Sequence, residues 1–247
     1  MYHSRHFFYS AGWLARLCPY PPLLYTRRAM EPQSIRAIIY DFDDTIVESE
    51  RINDALFSDL LLNEYALALR PEELDILYGF SWSGVFDWLA RNRGFGKSME
   101  EVWGTFLRRK RDYLSANRLR VARGIDRMLA LPVPQAIVSG STRAEVDAIL
   151  DNIGMKADSV DLILTDEDCV KGKPDPEGFL KALDALKASP DQALVFEDSP
   201  AGIEAAHRAG IPVAFVAELA SRNSAQLADM RFSTFEEAWP WVKSRLS

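Results

Sequence analysis

Cysteine is nearly absent, with Cys18 and Cys169 the only two in 247 residues. Two thiols give no disulfide framework, which fits a reducing compartment and leads us to expect a cytoplasmic protein. Histidine is almost as scarce, at three residues. Internal repeats and low-complexity tracts are missing. The longest apolar stretch near the start, residues 7–17, is interrupted by Arg16 and is too short to span a bilayer. Positive charge is in deficit: 29 Lys and Arg face 36 Asp and Glu, a net charge of −7. That balance argues against a general nucleic-acid or anionic-membrane surface, while leaving room for a local basic pocket. What remains is ordinary globular usage, 48% apolar and 26% charged, enough for one large domain or a core with a modest insertion. Nothing demands more than a monomer.

The first 29 residues lack acids altogether and carry Arg5, Arg16, Arg27 and Arg28. Acid-free, Arg-containing segments resemble organellar targeting peptides, but this one is poor in Ser and rich in Pro and aromatics. The expectation is a poorly ordered extension, residues 1–29, upstream of a start at Met30. It is set aside in reasoning about the fold.

From Ile35 onward, apolar runs alternate with helical patterns. Strands are expected at residues 37–40, 135–138, 161–164, 193–196 and 213–216, each a near-continuous apolar run of the kind buried on both faces of a parallel sheet. Helical patterns fill residues 142–153, 176–186 and 200–209. The alternation predicts an α/β fold, a doubly wound, Rossmann-like parallel sheet. Between Glu48 and Arg120 the rhythm breaks, and only helical patterns occur. More than seventy residues of helix exceed a simple crossover and predict an inserted all-helical cap at residues 48–120. The core would then comprise residues 30–47 and 121–247. The aromatics of the insertion (Trp82, Phe86, Trp88, Phe95, Trp103, Phe106) are expected to form mostly its own core.

The first strand runs straight into acids, IRAIIYDFDDTIVESE. Residues two apart in a strand share a face, so Asp41 and Asp43 point the same way with Phe42 turned inward. At about 6 Å and an effective dielectric of 20, two carboxylates repel by roughly 3 kcal/mol. A hard divalent cation with oxygen ligands is the simplest compensation. A calcium loop of the EF-hand kind is disfavoured, because Ile46 and Ile52 occupy the positions of its Gly and its bidentate Glu. D-x-D-x-T recurs by chance in about one chain of this length in 25, so its placement at a strand end carries the inference.

Three further strand ends hold candidate groups. In VSGSTRAEV, Ser139 and Gly140 precede a T-x-x-E capping box at Thr142 and Glu145, a suitable anion site. In KGKPDPEGF, Asp175 reads as an N-cap and Pro176 as the first helical residue, aiming Lys171 or Lys173 at the strand ends. In FEDSPAG, Glu197 and Asp198 supply a second acid pair, and Ser199 caps the helix that follows.

An Asp pair, a hydroxyl, a lysine and a second acid pair thus occur in chain order. The set DFDDT, Ser139 in VSGST, Lys173 in GKPDP and EDSPAG resembles the haloacid-dehalogenase-like superfamily. The helical insertion is similar to the cap of its β-phosphoglucomutase and phosphoglycolate phosphatase branch. The resemblance implies a phosphatase acting on a small phosphorylated metabolite. Asp41 would be the nucleophile, Asp43 the general acid and base, and Ser139, Gly140 and Lys173 the phosphate ligands. It implies Mg²⁺ held by Asp41, Asp198, the backbone carbonyl of Asp43 and, directly or through water, Glu197. In the cap, Arg51, Ser81 and Trp82 are candidate substrate contacts. A phosphosugar mutase is the alternative, disfavoured because residues 141–143 lack the Lys-Asn pair expected of the mutase. A non-enzymatic phospho-Asp switch ranks last. Asp44, where many relatives have Gly, is expected to be turned away and tolerated. His207 and the basic run at residues 108–113 are expected to be solvated, and Cys169 to be a small core residue.

Overall fold

The computed structural model describes residues 31–32, 34–78, 80, 82–221 and 223–246. The expectations for residues 1–29 and for Ser81 lie outside these. The strands are β1 (Ala37–Tyr40), β2 (Gln135–Val138), β3 (Leu162–Leu164), β4 (Ala193–Phe196), β5 (Val213–Val216) and β6 (Met230–Phe232). Between β1 and β2 lie α1 (Glu50–Tyr65), α2 (Pro71–Leu77), α3 (Trp82–Arg93), α4 (Met99–Ala116) and the short α5 (Ile125–Leu129). The later helices are α6 (Arg143–Ile153), α7 (Glu177–Leu186), α8 (Pro200–Arg208) and α9 (Phe235–Lys243).

All strands pair in parallel, in the order β3-β2-β1-β4-β5-β6. Ile39 faces Ala136 on one side and Val195 on the other. Alternation along the strands feeds two cores. Ile38, Tyr40, Ile137, Leu194 and Phe196 pack against α5, α6 and α9. Ala37, Ile39, Ala136, Val138 and Val195 pack against α7 and α8. Helices on both faces of the sheet account for the four consecutive buried residues of β1. The edges depart from expectation. β3 starts at Leu162, one residue later than expected, and its residues are only half-buried; Asp161 before it donates its amide to the Gln135 carbonyl and accepts from the Gln135 amide through its side chain. β6 was not foreseen: it has three residues with a charged one, Arg231, at its centre. α7 begins one residue later than expected. Pro176 is its N-cap, while Asp175 accepts from the Glu177 amide at 3.1 Å.

The four helices α1–α4 bury a separate core of Phe57, Leu60, Leu61, Val85, Phe86, Val102 and Phe106. Trp82 packs edge-on against Phe57, at 5.1 Å between centroids, and against Trp103, at 4.9 Å. Two backbone bonds stitch the crossing segments to each other, Glu48 N–H to the Arg120 carbonyl and Ala122 N–H to the Ile46 carbonyl, both 2.9 Å. The basic run is not simply solvated. Lys110 is 3% exposed and donates to Glu145 of α6 at 2.7 Å, joining the helical unit to the sheet unit. Arg109 pairs with Asp59 and Glu64. His207 is likewise not free: its Nε2 lies 2.9 Å from Asp229, which also accepts from the Val213 amide. Cys169 is half-buried, and burial pushes its thiol up, away from nucleophilic ionisation. No helix among the described residues is long and apolar enough to cross a membrane.

Candidate active site

β1 and β4 are neighbours in the sheet although far apart in sequence, and the strand order reverses there. A crevice opens beyond their C-terminal ends, where open α/β sheets place ligands. The Asp41 amide donates to the Phe196 carbonyl at 2.9 Å, extending the ladder one step and fixing the carboxylate at the crevice floor. Lys173 reaches it from the loop before α7. Its ammonium lies 2.6 Å from Asp41 Oδ1 and 2.6 Å from Glu197 Oε2, above the Phe179 ring. The other oxygen of Glu197 accepts from the amides of Asp198 and Ser199 and from the Ser199 hydroxyl. Gly202 makes this possible, since a Cβ there would sit 1.9 Å from Glu197 Oε2.

The Asp43 carboxylate accepts from three serine hydroxyls. Ser49 donates to its Oδ1, while Ser139 and Ser141 donate to Oδ2 at 3.1 and 2.8 Å. The Ser139 oxygen also accepts from the Ser141 amide at 3.0 Å, and Gly140 lines the crevice beside it. Sequence reasoning singled out Ser139 and missed Ser49 and Ser141; the S-x-S spacing of 139 and 141 was the available signal.

Charge is unevenly matched. Burial, followed by the charge of Glu197, pushes the Asp41 carboxyl up to about 8, against the pull of Lys173. Burial and the charges of Glu197 and Asp41 hold Asp198 well above the carboxylate range. Burial works against the charge of Lys173, but Asp41 and Glu197 outweigh it and raise its pKa. Oxygens of Asp41, Glu197 and Asp198 all lie within 4.8 Å of one another, buried. Three clustered carboxylates served by one ammonium are what a hard divalent cation with oxygen ligands fits.

Asp44 is no bystander. The chain leaves the strand before it, and its φ of 57° places it in the left-handed region that Gly adopts freely. Its carboxylate accepts from the amides of Ser49, Glu50 and Ser221, so it caps the start of α1 and anchors the crossing into the helical unit. An Asp can replace Gly here because short polar side chains tolerate this conformation.

The helical unit roofs the crevice. Glu50, Asn53, Asp54, Phe57, Leu77, Tyr78, Phe80 and Trp82 face Asp41, Asp43, Lys173 and Asp198 across an open volume of about 60 Å³. Trp82 is therefore at the cleft as well as in the cap core. Arg51 is not among the residues lining the cleft: its side chain is 66% exposed and lies 3.9 Å from Glu48. Tyr78, not anticipated from sequence, donates its hydroxyl to Asp198. Thr45 donates to the other Asp198 oxygen at 3.3 Å.

Comparison with known proteins follows this geometry. Residues 38–216 match the sequence model of the haloacid dehalogenase-like hydrolases. Validoxylamine A 7'-phosphate phosphatase of Streptomyces hygroscopicus subsp. limoneus is 39% identical over 114 residues. That match takes in 44% of this chain and 52% of the relative, about half its length. Hexitol phosphatase B of Escherichia coli K12 is 26% identical over 213 residues, 83% of this chain and 95% of the relative. Among solved structures, CbbY from Rhodobacter sphaeroides in complex with phosphate superposes with a TM-score of 0.73 at 20% identity. The superposition covers 82% of this chain and 96% of that one, and it bears on the fold alone.

Proposed function

Because this chain belongs to the haloacid dehalogenase-like hydrolase family, we propose that it is a phosphatase that cleaves small phosphorylated metabolites of the sugar-phosphate kind. The observation that carries the reading is the pairing at the crevice floor, with Asp41 braced by Lys173 and Asp43 braced by three serine hydroxyls. Relatives whose names specify phosphatase action on a hexitol and on validoxylamine A 7'-phosphate support the same substrate class.

In the reaction, an Asp41 oxygen attacks phosphorus and the bond to the leaving alcohol breaks. Asp43, protonated, gives its proton to that alcohol oxygen. The product of this half is an acyl phosphate on Asp41. Asp43, now a carboxylate, takes a proton from water as the water attacks phosphorus, releasing phosphate and restoring Asp41. Lys173, Ser139 and the Gly140 segment would bind the transferring oxygens. Asp41, Asp198, Glu197 and the Asp43 carbonyl would hold Mg²⁺. When bound, Mg²⁺ supplies the positive charge that lets carboxylates and phosphoryl oxygens share the crevice. The roof of α1–α3 would keep bulk water from the acyl phosphate.

A mutase of the β-phosphoglucomutase type would have to hold a second phosphoryl group against the roof. Among the described residues lining the cleft, Lys173 is the only cation, and it is already at the floor. Hydrolysis of a monoester is therefore the reading favoured. The test is phosphate release from p-nitrophenyl phosphate. It should require Mg²⁺ and fall at least about 10³-fold in Asp41→Asn. Release that persists in that variant contradicts the assignment of Asp41.

A further inference from the structure

The three clustered acids of the floor are not held alike. Lys173 bridges Asp41 and Glu197, at 2.6 Å from each. Asp198 is met instead by two hydroxyls, Thr45 at 3.3 Å on one oxygen and Tyr78 on the other. These donors come from different units. Thr45 lies in the turn after β1, whereas Tyr78 directly follows α2 of the roof. Tyr78 is buried and lines the crevice beside Phe80 and Trp82. Ser221, whose amide serves Asp44, is a second hydrogen-bond partner of the Tyr78 side chain. Burial, followed by the charge of Asp198, pushes the phenol up, so it stays a donor at neutral pH.

A phenol is neutral, so it leaves three carboxylates facing one ammonium, and the cluster still calls for a cation. A carboxylate offers about four lone-pair positions, and the two hydroxyls use two of them. Asp198 can therefore ligate a cation without giving up either donor. Carboxylates that ligate metals are themselves held by hydrogen bonds, and losing such a partner typically lowers metal affinity by about 10–100-fold. Resting on the phosphatase reading of this cleft, we propose that Tyr78 is a positioning residue for the cation site: a hydroxyl carried by the roof fixes the orientation of Asp198, a ligand on the floor. The site is then complete only when the roof is seated. By linkage, whatever factor the seated roof adds to cation affinity, a bound cation adds to the seating of the roof.

Mn²⁺ is the probe, because it suits the same oxygen ligands as Mg²⁺ and its free-ion electron paramagnetic resonance signal disappears on binding. Titrated without substrate, Tyr78→Phe should bind Mn²⁺ at least about fivefold more weakly than the wild-type chain. Ser221→Ala, which keeps the phenol, should weaken binding in the same direction by about twofold. In p-nitrophenyl phosphate hydrolysis, the apparent Mg²⁺ constant of Tyr78→Phe should rise by the same factor as its Mn²⁺ dissociation constant, whatever becomes of kcat. The proposal is overturned if Tyr78→Phe binds Mn²⁺ as tightly as the wild type or more tightly, the result expected of a hydroxyl that only packs the roof or that blocks the cation. It is also overturned if kcat falls while the Mg²⁺ constant stays put, or if the wild-type chain binds no Mn²⁺. A Tyr78→Phe chain that fails to fold leaves Ser221→Ala to decide, and unchanged Mn²⁺ affinity there overturns the proposal. The phosphatase reading fails separately, through absence of p-nitrophenyl phosphate hydrolysis by a wild-type chain that does bind Mn²⁺, so the two results stay distinguishable.

Discussion

Asp43 and Asp44 are adjacent, identical and buried, yet the backbone gives them different work. Asp43 turns to the crevice and collects three hydroxyl donors; Asp44, one residue on, has positive φ and collects three backbone amides. Replacing Asp44 with Ala leaves those amides without their acceptor and puts a Cβ residue in the left-handed region. Asp44→Ala should therefore cost about 3–5 kcal/mol of stability, and Asp44→Gly about 1 kcal/mol less, because Gly relieves the backbone but not the amides. Urea unfolding of both variants checks the order. If Asp44→Ala matches the wild type, the anchor role is wrong. The chemical candidates at this scale were legible because acids at strand ends stand out against a buried strand. The job of Asp44 was not, since a turn conformation leaves no mark in an apolar pattern.

At the scale of elements, α4 and α6 meet through one buried ion pair. Glu145 already caps α6 with Thr142 and spends its other oxygen on Lys110. Lys110→Met would strand a carboxylate that is fully buried, so a loss of about 3–5 kcal/mol is expected in urea unfolding. Lys110→Met combined with Glu145→Gln should recover part of that loss, because no charge is then left unpaired. Equal stability of the single and double variants would contradict the coupling. In sequence, Lys110 sits within RRKRDY and reads as solvated; only tertiary packing of α4 on α6 shows otherwise. The central strands were plain from their apolar runs, whereas β6, three residues with Arg231 in the middle, carries no such signal. The cleft face of α1 was hidden for a related reason. Glu50, Asn53 and Asp54 look like an ordinary polar helix surface until the roof is seated over β1.

For the whole molecule, the architecture divides the labour between floor and roof. The sheet brings Asp41, Lys173, Glu197 and Asp198 together from separate strand ends, and α1, α2 and α3 close over them. The floor follows from strand order, so it could be read from the chain. The roof depends on how two units pack, so its residues, Tyr78 and Asn53 among them, could not. The central claim is that the phosphoryl group passes through Asp41, and it can be met directly in Asp43→Asn protein. p-Nitrophenolate leaves without needing a proton, so the first half of the reaction should survive there, while water activation by Asp43 should not. Acid-quenched Asp43→Asn protein, incubated with Mg²⁺ and p-nitrophenyl phosphate, should yield one phosphorylated peptide by mass spectrometry, the one containing Asp41. A phosphoryl group found on any other residue, or an unmodified Asp41 peptide while nitrophenolate is still released, would contradict the account.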